Sequence, residues 1–309
     1  MRMEKVSVSQ PADCPSRILY TRYLDGTARK TPPDPALNSS SGINRFGDLT
    51  DEELAEVYNC AVDPQRLPLL DDVDTHRFTP EAAVSQPTNL PYGVNWAGMG
   101  LDGSPPAISS VKDQGPSCGS CWAFAATAAV EGLHAIKTKT LSISLSEQQI
   151  VDCDTSIEQR VHKRVGQDWR RSLSIPTREG RALARRSIVS PLIPIEGHIL
   201  VPSNSELELR AAVAHQPVIV TVDASGNAFK KYDGGVFRGP CDNNGGGHQM
   251  TAVGYSYNLI THETYWTLKN SWGRNWGEKG YMRLLREINS TGPGLCGIHK
   301  NAFYPWRRD

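Results

Sequence analysis

Gln114-Gly115-Pro116-Ser117-Cys118-Gly119-Ser120-Cys121-Trp122-Ala123-Phe124 sets a cysteine where a helix is about to begin. The run from Trp122 to Ile136 is rich in alanine and lacks proline. One long helix is therefore expected from Cys121 to Lys137, buried along Phe124, Ala128 and Leu133. A thiol at a helix N-terminus lies at the positive end of the backbone dipole, which favours the nucleophilic thiolate. Cys121 is thus the candidate nucleophile, although a lone cysteine is more often an inert core residue. Two later strings supply the partners that decide between those readings. Gly245-Gly246-Gly247-His248-Gln249-Met250-Thr251-Ala252-Val253-Gly254-Tyr255 opens a strand with a histidine. An imidazole there can take the thiol proton and hold it as imidazolium beside the sulfur anion. Asn270-Ser271-Trp272-Gly273, followed by Trp276-Gly277, offers an amide oxygen to accept the other imidazole N–H and fix the ring.

The totals exclude several classes. Lysine plus arginine and aspartate plus glutamate each number 33, so net charge points to neither nucleic acid nor an anionic membrane. No apolar run approaches the ~20 residues of a membrane span. Residues 1–20 show no apolar stretch of the kind a signal peptide carries. Seven cysteines is an odd number, and Cys121 is the natural one to stay reduced. Asn38-Ser39-Ser40 and Asn289-Ser290-Thr291 are acceptor triplets for glycans, a common chance pattern.

Residues 1–41 are proline- and serine-dotted, and Thr50-Asp51-Glu52-Glu53 reads as a capping box opening a short helix. Residues 61–89 read as an extended polar connector. Leu145 to Cys153 reads as a second, serine-capped helix. Val218–Val222, Gln249–Val253 and Thr264–Leu268 are β-branched or aromatic runs between turn signals. Helices first and strands later imply an α+β chain of two lobes with a cleft between them.

Cys-Gly-Ser-Cys-Trp, with a histidine and an asparagine roughly 130–150 residues further on, resembles the signature of papain-like cysteine proteases. Gly42-x-Asn44-x-Phe46-x-Asp48 resembles the propeptide motif of that family, and Leu90-Pro91-Tyr92-Gly93-Val94-Asn95-Trp96 resembles its mature N-terminus. The resemblance implies a papain-like α+β fold, with a helical left lobe and a β-barrel-like right lobe. It divides the chain into a propeptide over 1–89, its motif at about 42–60 plus a linker, and a peptidase domain over 90–309. It implies a cysteine endopeptidase made as a zymogen, with Cys121, His248 and Asn270 catalytic and Gln114 supplying the oxyanion-hole amide. Trp272 resembles the indole that shields the His–Asn hydrogen bond from water. Thr221, Gly246, Gln249 and Asn301, with Trp272, are the substrate-binding residues implied, and Thr221 and Gln249 make that wall polar. Cys241 and Cys296 match a disulfide pair. Neither metal nor cofactor is implied. The partners implied are protein or peptide substrates and the chain's own propeptide, with no nucleic acid and no membrane span, in a monomer. The compartment implied is lysosomal, vacuolar or extracellular.

Three departures accompany the resemblance. Gln114 stands one residue further from the cysteine than the family's spacing, so the Pro116-Ser117 turn must bulge. Gly247 and Gln249 flank His248 where the family has Asp or Asn before it and a small residue after. Residues 154–198 lack the family's Gly-Cys-x-Gly-Gly stretch, and between 159 and 190 nine basic residues face Asp168 and Glu179. A frame-shifted segment, a divergent insert and a polyanion-binding patch all fit that composition. It also leaves Cys118 and Cys153 without their family partners, and these two could pair with each other. An inactive peptide-binding homologue or an inhibitor is the alternative reading of the whole chain.

Overall fold

The computed structural model describes residues 39–41, 44, 46, 49, 90–99, 103–116, 119–153, 193, 195–241, 247–287 and 290–307. The capping box at 50–53, the connector at 61–89, Cys118, the Cys153 side chain, Gly246, most of 154–198, Asn38 and Asn289 lie outside the described residues.

The first helix, α1 (Cys121–Thr138), runs one residue past the expected end. Alanines at 123, 125, 126, 128 and 129 bury its flanks, which lets neighbouring backbone approach closely. Phe124 is only half-buried, whereas Ala128 and Leu133 are buried as expected. Lys139 ends α1 in the left-handed conformation, its N–H returning to the Ala135 carbonyl. A short second helix, α2 (Glu147–Cys153), packs beside it. Ala123, Val130, Leu133, Leu145, Ile150, Ile193 and Ile195 form the core of this helical lobe.

The second lobe is built on strands β1 (Ser39–Ser41), β2 (Val94–Asn95), β3 (Gly197–Leu200), β4 (Val218–Asp223), β5 (Tyr232–Phe237), β6 (Gly247–Tyr257), β7 (Thr264–Lys269), β8 (Tyr281–Leu285) and β9 (Ala302–Trp306). Their path is β1-β5-β8-β7-β6-β4-β9-β3, with β2 paired on β6. All pairings are antiparallel except β5 with β8. Helix α3 (Glu206–His215) precedes β4, its start capped by the Ser205 side chain, which accepts from Glu208 N–H. A single turn, α4 (Asn227–Lys230), precedes β5. Cys241 and Cys296 are joined by a disulfide, as the resemblance implies.

Strand β6 holds the two lobes together. It is buried without interruption from Gly247 through Tyr255, because both of its faces are covered. Thr251 sends its hydroxyl to the Ala125 carbonyl of α1, at 3.3 Å, while Met250, Ala252 and Tyr255 belong to the core of the strand lobe. Two-sided burial explains why the run does not alternate apolar with polar residues. One half of β6 pairs with β4 and the other with β7. At Gly254 the chain entering from β2 passes so close that a Cβ would lie 2.1 Å from the Val94 carbonyl oxygen.

That approach is backbone against backbone and cannot be relieved by a rotamer change. Gly254→Ala is expected to lower unfolding stability by about 2 kcal/mol or more. Chemical denaturation of the variant beside the unaltered chain measures it, and a loss below 0.5 kcal/mol would refute the packing argument.

Candidate active site

Cys121 is the first residue of α1, and no acidic side chain occupies the first helical turn. Nothing there offsets the dipole that favours thiolate. Ser120 caps the helix through its carbonyl rather than its hydroxyl, accepting from Ala123 N–H at 2.9 Å. The thiol is reduced and fully buried. Its sulfur accepts a long hydrogen bond, 3.5 Å, from the backbone N–H of Gln249 on β6. The Cys121 thiol of one lobe is thereby placed against the strand of the other, one residue beyond His248.

His248 is the second residue of β6, 2 % exposed, and its Nε2 lies 2.7 Å from Oδ1 of Asn270. Asn270 directly follows β7, and the Thr251–Lys269 pairing of β6 with β7 brings these two strand ends together. The same Asn270 oxygen accepts from Ser271 N–H at 2.8 Å, and Asn270 N–H donates to the Gly280 carbonyl at 3.0 Å. An oxygen fixed by these contacts accepts from an N–H on Nε2, which leaves Nδ1 as the ring nitrogen that can exchange a proton. Trp272 lies over the imidazole, with ring centroids 4.6 Å apart at 31°. The indole, itself 1 % exposed, keeps water from the His248–Asn270 bond.

Gln114 is held at both levels of the chain. Its N–H donates to the Ser271 carbonyl at 2.9 Å, and its Oε1 accepts from the Ser271 hydroxyl at 2.6 Å. Asp113 bridges Trp272, and its carboxylate accepts from Gly115 N–H, with Gly115 at φ +81°. This Asx-type turn starts the longer loop.

Of the expected substrate residues, Thr221 and Gln249 are a registered cross-strand pair on β4 and β6. Thr221 N–H turns the other way, donating to the Asn301 carbonyl at 3.0 Å. The facing pair therefore exchanges no backbone bonds, the arrangement in which opposite side chains lie closest. Thr221 Oγ1 and Gln249 Oε1 are both buried with no hydrogen-bond partner. Trp272 is placed differently from the other three. It lies beneath Phe46 in an aromatic cluster with Phe229 and Trp276.

Residue-by-residue reading missed a set of buried charges between the lobes. Lys112 Nζ contacts Glu131 at 2.9 Å and also contacts Glu147. Thr127 donates to Glu147 at 2.6 Å, and Ser109 donates to Glu131. Lys269, from β7, donates to Ser109 at 3.0 Å. Burial alone would lower the Lys112 pKa, but Glu131 and Glu147 outweigh it and hold the ammonium above its usual range. Burial of Lys269 prevails over the pull of Glu131 and brings it down to about 8. Glu131 is the one carboxylate in the alanine-rich helix α1 and Lys269 ends β7, but neither position names its partners until the fold joins them.

Among the described residues, no group of three or more His, Cys, Asp or Glu side chains is placed to hold a metal ion. No helix among them is long and apolar enough to cross a membrane.

A helix-borne thiol beside an amide-oriented imidazole is the machinery of a thiol hydrolase. The family model described as "Papain family cysteine protease" matches residues 91–168 and 177–306. The match runs through 154–168 and 177–198, residues set apart from the family by their composition, and is interrupted only over 169–176, inside the basic stretch. The chain belongs to the papain family of cysteine proteases. It is 38% identical over 281 residues to Cysteine protease 1 of Oryza sativa subsp. japonica, covering 86% of this chain and 54% of that protein. It therefore spans about half the length of that relative. It is 36% identical over 299 residues to chymopapain of Carica papaya, covering 92% of this chain and 77% of that one. Among solved structures it is similar to the proform of Amb a 11, a ragweed pollen cysteine protease (TM-score 0.69, 31% identity, 88% of this chain and 83% of that chain). It is likewise similar to the recombinant stem bromelain precursor (TM-score 0.67, 31% identity, 88% and 84%). The α+β, two-lobed papain-like fold expected from sequence is thus the fold of this chain.

Lys269 carries a pH test. Its pKa is lower folded, about 8, than unfolded, 10.5. Between those values the unfolded chain binds more protons, so this group makes stability rise with pH through that window. The stability of the unaltered chain relative to Lys269→Met is expected to be flat below pH 8. It should then climb by about 3 kcal/mol at most toward pH 10.5. Paired urea unfolding curves across pH 7–10.5 check it, and a falling difference would overturn the assignment.

Proposed function

We propose that this chain is a cysteine endopeptidase made as a zymogen, acting on protein or peptide substrates without metal or organic cofactor. The observation that carries the reading is the His248–Asn270 bond beside a reduced Cys121 held at a helix N-terminus against the same strand. The Cys121 thiolate attacks the carbonyl carbon of a peptide bond. The C–S bond forms as the carbonyl π pair moves onto oxygen. The Cys121 backbone N–H and the Gln114 side-chain NH₂ donate to that oxyanion. His248 gives its Nδ1 proton to the leaving nitrogen as the C–N bond breaks, which leaves a thioester. Water then adds to the thioester and His248 takes its proton. Collapse of the second tetrahedral adduct breaks the C–S bond and regenerates the thiolate–imidazolium pair.

The residues for the side chain bound beside the scissile bond are Thr221, Gln249 and Asn301, with Gly246 and Trp272 by resemblance. The unpartnered Thr221 and Gln249 oxygens favour a substrate side chain that donates a hydrogen bond.

Residues 1–89 act as the inhibitory segment and 90–309 as the peptidase domain, working as a monomer. Pairing of Ser39–Ser41 on β5 and burial of Phe46 against Trp272 support this division. The proforms among the similar structures support it too. The Cys241–Cys296 disulfide favours an oxidising destination, either secreted or reached through the secretory route, such as a vacuole or lysosome.

Incubation at mildly acidic pH with a thiol-directed epoxide is expected to label Cys121 alone, with peptide hydrolysis appearing as residues 1 to about 89 are lost. Cys121→Ala abolishes both. Gln114→Ala keeps the labelling but lowers kcat by about 10²–10³-fold. Mass spectrometry locates the label and steady-state kinetics measures the rate. Labelling spread over other cysteines, or hydrolysis surviving in Cys121→Ala, would overturn the reading.

A further inference from the structure

Three buried oxygens on one face of the β4–β6 pair have no hydrogen-bond partner among the described residues: Thr221 Oγ1, Asp223 Oδ2 and Gln249 Oε1. Their common face follows from the register. Thr221 stands opposite Gln249, and Asp223 opposite Gly247. Directly opposed residues share a face, as do residues two apart along a strand. Ile219 and Thr251, the next pair on that face, reach α1. Ile219 packs with Ala125, Ala126 and Ala129, and Thr251 donates to the Ala125 carbonyl. The three oxygens therefore look toward the helix that carries Cys121, whose sulfur meets the Gln249 N–H. Two residues of strand span ~7 Å, so the oxygens share one patch of about that width.

Asp223 gives this patch a carboxylate. Its Oδ1 accepts from the Ser225 N–H at 3.0 Å and from the Ser225 hydroxyl at 2.6 Å. This Asx-type turn fixes the carboxylate and leaves Oδ2 bare. Among the described residues, no lysine, arginine or histidine forms an ion pair with it. Gly247 brings no side chain opposite it, whereas an aspartate or asparagine at 247 would stand over the carboxylate. A buried oxygen without a donor costs free energy that an incoming donor recovers. Hydroxyl and amide oxygens accept from any donor, but a carboxylate between them favours a charged one. A guanidinium suits the patch best. It carries five N–H donors in a planar fork, has no acceptor to be stranded, and is more weakly hydrated than an ammonium.

We propose that Asp223 is a specificity-determining residue, which with Thr221 and Gln249 forms a subsite for a basic substrate side chain, arginine before lysine. The proposal rests on the reading of this chain as a cysteine endopeptidase. It narrows the substrates from polypeptides in general to those carrying a cation close to the cleaved bond. The carboxylate binds the side chain equally before and during the bond-making steps, so the preference lies in KM rather than in kcat.

The test starts from the full chain, left at mildly acidic pH until residues 1 to about 89 are lost. Pairs of fluorogenic peptides carry arginine or citrulline, in turn at each of the two positions before the cleaved bond. Citrulline keeps the shape of arginine and lacks its charge. At one of these positions, kcat/KM is expected to be about 10-fold or more higher for arginine than for citrulline, with the difference in KM. Asp223→Asn keeps an oxygen for the Ser225 N–H and removes the charge, and is expected to bring that ratio to about 1. Asp223→Ser, which also accepts from the Ser225 N–H, is expected to do the same, and circular dichroism checks that both variants are folded. Thr221→Val removes one neutral oxygen at constant shape, and is expected to weaken both members of the pair while arginine stays ahead. A ratio of about 1 in the unaltered enzyme at both positions, or a ratio that Asp223→Asn and Asp223→Ser leave unmoved, would overturn the proposal while hydrolysis upholds the protease reading. Hydrolysis of none of the peptides would overturn the protease reading and this proposal with it.

Discussion

The two-sided burial of β6 is the constraint on which the rest depends. A strand covered on one face by α1 and on the other by the strand-lobe core has no freedom to slide, because a one-residue slip would exchange its faces. Thr251 would leave the Ala125 carbonyl and Met250 would leave the core. Fixing β6 fixes His248 at its start, and through the β6–β7 register it fixes Asn270 at the end of the neighbouring strand. It also fixes the Gln249 N–H that meets the Cys121 sulfur. The Cys121 thiol on one lobe and the His248 imidazole on the other are held in register by packing. Alanine dominates the contacting flank of α1 for the same reason: larger side chains would push the helix, and Cys121 with it, off the strand.

The charged cluster between the lobes works alongside this packing. Buried ions are weak sources of net stability, because desolvation offsets most of their attraction. Their directionality is the more useful property. Ser109, Lys112, Glu131, Glu147 and Lys269 satisfy one another only in one relative position of the lobes. The Glu131 carboxylate also accepts from the Leu145 backbone N–H, which ties the start of α2 to the middle of α1. Apolar packing brings the lobes together, and the cluster selects the angle at which they meet.

Much of the site was legible in the sequence because the chemistry narrows the choice of residues. A thiol at a helix start, a histidine at a strand start and an amide before an indole are each unusual, and together they single out Cys121, His248, Asn270 and Trp272 as candidates. The strands at 218–222, 249–253 and 264–268 were legible from β-branched runs, and α1 from alanine without proline. The interlobe charges were not, because each looks like an isolated surface charge until the fold joins residues as far apart as 109 and 269. Nor was the seat of Ser39–Ser41. Three serines carry no hydrophobic alternation to specify a register, so their strand exists only because β5 presents an unpaired edge. The Gly42-x-Asn44-x-Phe46 spacing marked a motif, while the partners of Asn44 and Phe46 appear only once β5 and α4 are folded.

The placement of Trp272 links these two kinds of legibility. As a shield it needs to be dry, and as part of a motif it was expected to touch substrate. It is dry here because Phe46, from a distant part of the chain, closes the side that β7 and α4 leave open. The same indole therefore answers to two neighbours. The His248 imidazole lies against it at 4.6 Å, and the Phe46 ring meets it edge to face at 5.7 Å. In the cluster of Phe46, Phe229, Trp272 and Trp276, the Trp276 indole N–H is tied to the Lys230 carbonyl at 2.9 Å, and the remaining contacts are ring against ring. Packing in the strand lobe thereby extends to the His248–Asn270 pair through Trp272, the ring that both His248 and Phe46 contact.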